Sequence, residues 1–85
     1  MSQTLNYPSV LAEAERIICE IARTKKVKVP AVRESSRLLG GDLPIDSLDL
    51  AGVIVQLEAA TGYDPFKEGF IDFRTVGELA RLYAR

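Results

Sequence analysis

The stretch LPIDSLDLAGVIVQLEAATGYD, residues 43–64, decides how this chain reads. Asp46 and Ser47 are both good N-cap residues, and Leu48, Leu50, Val53, Ile54 and Leu57 follow at helical spacing. Gly62 fits the C′ position, where a left-handed residue closes a helix. A helix therefore starts sharply beside Ser47, behind a loop holding Gly40, Gly41 and Pro44. At such a start a side chain faces water, and the free N–H groups and positive end of the helix dipole favour an attached anion. A phosphate ester on Ser47 would sit well there. The chain has no His and offers no evident base to activate the hydroxyl. Ser47 thus reads either as a plain N-cap or as the substrate of another enzyme.

Upstream, Leu11, Ala14, Ile18, Ile21 and Ala22 recur at three- and four-residue steps, while Glu13, Glu15, Arg16, Glu20 and Arg23 fall mostly elsewhere. This predicts an amphipathic helix from residue 9 to about 24, with Pro8 near its start. Residues 25–45 have no sustained period and read as a long ordered loop. Val27, Val29, Val32, Leu38, Leu39, Leu43 and Ile45 should pack that loop onto the core. Downstream, Asp64-Pro65 makes a turn, with one short helical turn at 65–69. Thr75-Val76-Gly77-Glu78 is an S/T-x-x-E capping box, and Val76, Leu79, Leu82 and Tyr83 give the last helix its apolar stripe. No strand-length alternation and no internal repeat is visible. The expectation is all-α: a small four-helix bundle of three main helices and one short one. Residues 1–85 form one domain, with 1–7 as a flexible N-terminus.

Composition narrows the chemistry. In 85 residues, 47% hydrophobic and 27% charged is a globular mixture and not a disordered one. Without His, neither a Ser-His-Asp nor a Cys-His nucleophile can be built, and the usual Cys/His zinc site is out of reach. No catalytic and no metal-ligating residues are assigned. The single cysteine, Cys19, cannot form an internal disulfide and points to a reducing cytoplasm; beside the apolar stripe it should be partly buried. MSQTLNYPSV has neither the basic region nor the apolar run of a signal peptide, and the apolar run at 50–55 is too short for membrane insertion.

The net charge of -1 hides a pattern. Residues 1–41 carry a balance of +3, residues 42–72 a balance of -6, and residues 73–85 a balance of +2. An acidic middle segment, centred on the Ser47 helix, could steer a basic partner even though the whole chain is nearly neutral. The run Arg23-Lys25-Lys26-Lys28 is followed by no recognition helix, so nucleic acid is not an expected partner.

Residues 43–64 resemble the phosphopantetheine attachment region of acyl and peptidyl carrier proteins, whose hallmark is Asp-Ser-Leu at the start of the second helix, followed by an apolar helix ending near Leu-Glu. Here these are Asp46-Ser47-Leu48 and Leu57-Glu58. The likeness extends over nearly the whole chain: an amphipathic first helix, a long loop holding Glu34-Ser35-Ser36, the motif helix, a short third helix and a capped last one. The resemblance implies that a phosphopantetheinyl transferase moves 4′-phosphopantetheine from coenzyme A onto Ser47. The thiol of that arm then holds an acyl or aminoacyl group as a thioester. A chain without catalytic residues thus takes part in chemistry through a prosthetic arm. The resemblance further implies partner recognition by Asp46, Leu48, Asp49 and Glu58, with Leu48 either a surface contact or a core residue. Val53, Ile54 and Leu57 read as core. The implied partners are the transferase, an acyl- or aminoacyl-loading ligase and downstream synthases or transferases, acting on a monomer.

The chain departs from fatty-acid carriers in its near-neutral charge and in the aromatics Tyr63, Phe66, Phe70 and Phe73. Gly52, inside the motif helix, costs roughly 1 kcal/mol relative to Ala and is read as room for a close approach by partner or cargo. These departures favour a specialised stand-alone carrier for a polyketide-like, peptidyl or aminoacyl pathway. The competing reading is an unmodified carrier-like helical adaptor that acts only through protein–protein contacts.

Overall fold

Asn6 opens the first helix. Its side chain accepts a hydrogen bond from the Ser9 N–H at 3.1 Å, and Pro8 sits in the first turn, where a missing N–H costs nothing. In the computed structural model, which describes residues 6–84 apart from Pro30, Gly41, Asp42, Glu68 and Phe70, this helix (α1) runs Tyr7–Thr24. Residues 1–5 of the expected flexible N-terminus lie outside the described residues, as do Asp42, Glu68, Phe70 and Arg85 of the charge and aromatic patterns. α1 starts two residues before the expected position, so Tyr7 is helical.

α1 buries Val10, Ala14, Ile17, Ile18 and Ala22, with Leu11 and Ile21 packed at the edges of the stripe. Cys19 is exposed, not partly buried, because it falls beyond that edge. The helix closes on Lys26, a non-glycine residue at φ 59°. The Lys26 N–H donates to the Arg23 carbonyl and the Val27 N–H to that of Ala22, the paired bonds of a Schellman ending.

α2 (Ser47–Thr61) and α3 (Val76–Tyr83) both begin with a capping box, and α2 ends on Gly62 at φ 70°, as its sequence predicts. There are three helices among the described residues. The short helix expected at 65–69 takes the form of turns instead: the Lys67 N–H donates to the Asp64 carbonyl and the Gly69 N–H to that of Phe66. The Asp64 side chain accepts from the Phe66 N–H, an Asx turn that opens this segment.

The core gathers Ile17 and Ile18 from α1, Val53 and Leu57 from α2, and Val76, Leu79 and Tyr83 from α3, with Leu38, Leu43 and Ile45 from the long loop. Phe66 bridges Phe73 (ring centroids 5.7 Å apart) and the edge of Tyr83 (6.5 Å). The Tyr83 hydroxyl is buried with no hydrogen-bond partner among the described residues. Of the loop residues expected in the core, Val27 and Leu39 are exposed instead. Each lies next to a backbone constraint, the Schellman ending for Val27 and a clip at residues 33–38 for Leu39.

That clip fixes the loop. The Val76 N–H donates to the Ser36 carbonyl, the Gly77 N–H to the Glu34 carbonyl and the Leu38 N–H to the Arg74 carbonyl. Arg37 and Thr75 form an isolated antiparallel bridge. Buried Ser36 turns its hydroxyl onto the Arg33 N–H. No helix among the described residues is long and apolar enough to cross a membrane.

Candidate functional site at the start of α2

Leu43 and Ile45 are buried on either side of Pro44, and this anchors the loop immediately before the motif. Asp46 is extended (φ -110°, ψ -173°) and serves as the N-cap. Its carboxylate accepts from the Asp49 N–H at 2.9 Å, and the Asp49 carboxylate accepts from the Asp46 N–H at 3.1 Å. Of the two cap candidates, Asp46 takes the role, which leaves Ser47 as the first helical residue. Ser47 is exposed, and its hydroxyl makes no hydrogen bond among the described residues. Nor does any acceptor among those residues meet the N–H of Ser47 or Leu48. Two donors and the positive helix end therefore face outward beside a free hydroxyl.

Leu48 is 82% exposed, so it is a surface residue and not part of the core. Val55, two turns further along, is also exposed, as are Ala51 and Ala59 between and beyond them. Val53 and Leu57 are buried and Ile54 packs against the core, as expected. A Cβ at Gly52 would meet nothing within 4 Å, so this position opens onto free space.

The acids behave differently from one another. Asp46 is exposed. Asp49 is held by the Lys25 Nζ at 2.6 Å as well as by the cap, and together the Lys25 ammonium and the Asp46 N–H keep its carboxyl below the usual range. Lys25 is in turn pushed up by Asp49, and it also donates to the Pro44 carbonyl at 3.2 Å. Glu58 is half-buried near the far end of the helix. The basic end of α1 therefore lies against the first turn of α2, and the acidic segment is partly neutralised where it reaches Ser47. Lys25 belongs to this site although no local spacing announces it, since it lies 24 residues from its partner.

A cavity opens one turn along the same helix. Leu50, three residues after Ser47, forms part of its wall together with Leu38, Leu39 and Phe73. No group of three or more His, Cys, Asp or Glu among the described residues is placed to hold a metal ion.

No protein-family model and no curated protein matches the chain. One solved structure does: the solution structure of MacpD, an acyl carrier protein from Pseudomonas fluorescens involved in mupirocin biosynthesis. The two chains are 37% identical and superpose with a TM-score of 0.81, over 93% of this chain and 71% of the other. At that identity and coverage, with the same all-α fold and an Asp-Ser-Leu helix start exposed to solvent, the chain belongs to the acyl carrier protein family.

Proposed function

We propose that this carrier works through a 4′-phosphopantetheine arm esterified to Ser47 by a phosphopantetheinyl transferase that uses coenzyme A. The observation that carries the reading is Ser47 itself: an exposed, unbonded hydroxyl at the first position of a helix whose first two N–H groups are open. A phosphodiester fits that place, since it is an anion and finds donors and a positive dipole end there. The arm's terminal thiol supplies the thioester by which acyl or aminoacyl cargo is held. The chain's own residues anchor and present it. Asp46 fixes the helix start, Asp49 and Lys25 clasp that start to α1, and Leu48 offers an apolar contact beside the attachment point. Among the recognition residues, Leu48 and Asp46 lead, Asp49 acts through the cap, and Glu58 serves the distal end of the helix.

The partners of this reading are the transferase, an acyl- or aminoacyl-loading ligase and downstream synthases or transferases, acting on a monomeric carrier in the cytoplasm. The similar carrier's involvement in mupirocin biosynthesis supports a specialised, polyketide-like pathway over housekeeping fatty-acid synthesis. One experiment separates this reading from an unmodified adaptor. The protein is incubated with coenzyme A and a promiscuous phosphopantetheinyl transferase, then weighed intact. The expected result is a gain of one phosphopantetheine that is absent in Ser47→Ala. An unchanged mass, or a gain that survives in Ser47→Ala, overturns it.

A further inference from the structure

Arg23, Lys25, Lys26 and Lys28 make the end of α1 basic, and one of the four is committed to the motif. The Lys25 Nζ donates to the Asp49 Oδ2 at 2.6 Å and to the Pro44 carbonyl at 3.2 Å, on residues that lie on either side of Ser47 in the chain. The lysine stem springs from fixed backbone. The Lys25 N–H donates to the Ile21 carbonyl, and the Lys26 and Val27 N–H groups close the helix behind it. Asp49 Oδ2 is also the oxygen that accepts from the Asp46 N–H, so lysine and cap share one acceptor. Asp49 keeps only 21% of its side chain exposed beneath this contact, whereas Asp46 stands open. The Lys25 hydrogen bond, ahead of the Asp46 N–H, holds the Asp49 carboxyl below its usual range, so the pair stays ionised at neutral pH. To a partner a Debye length away the two charges nearly cancel. At closer range the surface beside Ser47 shows an ammonium, 38% exposed, over a covered carboxylate.

We propose that Lys25 is a specificity-determining residue for the docking that precedes modification of Ser47: it withdraws Asp49 from the docking face and sets a positive charge in its place. The partner this surface fits presents an apolar socket to Leu48 and a neutral or acidic group opposite Lys25. A partner that lays a base there meets a like charge, and its base must displace an ammonium already bonded to two acceptors. Selectivity of this kind comes from a repulsive element built against one class of partner. A charge at the rim of an interface acts on association and its salt dependence more than on the chemical step. The inference rests on the carrier reading of Ser47 and adds to it the charge of the partner surface. Lys25 acts through Asp49, as a positioning residue that touches no reacting atom.

The test compares two phosphopantetheinyl transferases, one whose carrier-docking face is basic and one whose face is apolar. Loading from coenzyme A is followed by intact mass, and kcat and KM are taken separately. The quantity read is the ratio of kcat/KM for the basic transferase to that for the apolar one, in which a loosened α2 start counts against both and cancels. In Lys25→Met the ratio is expected to rise about threefold, the scale of an exposed ion pair, through a lower KM with the basic enzyme. Lys25→Gln, which removes the charge but keeps a donor, gives the same rise, and Lys25→Arg keeps the wild-type ratio. Asn at position 49 still offers an acceptor to the Asp46 N–H, so the double variant Lys25→Met, Asp49→Asn keeps the cap and returns the ratio to the wild-type value. The rise fades in about 1 M salt, where the Debye length is about 3 Å. An unchanged or lower ratio in Lys25→Met and Lys25→Gln, or a rise that the double variant keeps, overturns the inference and leaves the carrier reading intact. Absence of any mass gain with either transferase overturns the carrier reading, and this inference with it.

Discussion

α2 and α3 both open on a capping box, Asp46 with Asp49 in one and Thr75 with Glu78 in the other, yet the two starts end in opposite surroundings. At α3 the first two N–H groups donate to the carbonyls of Ser36 and Glu34, so the helix end is closed by the protein itself. At α2 the corresponding groups, on Ser47 and Leu48, meet no acceptor among the described residues. Burial follows the same division. Five of the eight residues of α3 are buried, against two of the fifteen in α2, although α2 is the more apolar in sequence. Apolar side chains that the core does not take, Leu48 and Val55 above all, stand on the surface. One helix start is closed by the protein's own carbonyls, and the other leaves its first two N–H groups open among the described residues.

Two helix glycines give the sharpest way to break that comparison. A Cβ at Gly77 would lie 2.9 Å from the Glu34 carbonyl oxygen, the Glu34 Cβ and the Tyr7 hydroxyl, and the backbone oxygen cannot move aside. Gly77→Ala is therefore expected to destabilise the fold by about 2 kcal/mol, read from urea unfolding. An unchanged midpoint would mean that α3 is not tightly seated on the loop. Gly52→Ala goes the other way. Its methyl meets nothing within 4 Å, so normal helix propensity should raise stability by about 1 kcal/mol. If stability rises while Ser47 modification slows, the space at Gly52 belongs to a partner; if modification is unchanged, that space has no such use.

The smallest effect at neutral pH concerns Tyr83, whose buried hydroxyl has no partner among the described residues. Tyr83→Phe removes the stranded group and should stabilise by under about 1 kcal/mol. The difference grows with pH. Burial, reinforced by Glu58 and Asp64, pushes the Tyr83 hydroxyl up to about 12. An unfolded tyrosine ionises near 10. Because the folded value is the higher one, the wild-type chain keeps its stability below pH of about 10 and loses it between roughly 10 and 12. Tyr83→Phe lacks this loss, so thermal melts of the two should diverge above pH of about 10. Parallel melts would place the hydroxyl in water.

How much of this was legible depends on how local the cause is. The α2 and α3 starts and the Gly62 stop are written in four-residue signals, and they stand where the sequence puts them. Ser47 was legible for the same reason. The segment at 65–69 is too short for its end signals to decide between helix and turn: it holds the i to i+3 bonds from Lys67 to Asp64 and from Gly69 to Phe66 and goes no further. Lys25 reaches Asp49 across 24 residues, and Arg37 meets the chain near Arg74 across a longer gap. Neither pairing has a spacing that betrays it, so the clasp at the site and the cavity beside Leu50 emerge only in three dimensions. The acidic middle segment is a block along the chain, yet at Asp49 it meets Lys25 from the end of α1.

The clip between residues 33–38 and the start of α3 divides the long connection into two short spans, each tethered at both ends. Arg37 and Leu38 stand in the clip, and they are also wall and edge of the cavity. Melting the first turn of α3 would unlatch that wall, so the amides of Leu38, Val76 and Gly77 are expected to exchange with solvent as one unit in hydrogen-exchange measurements.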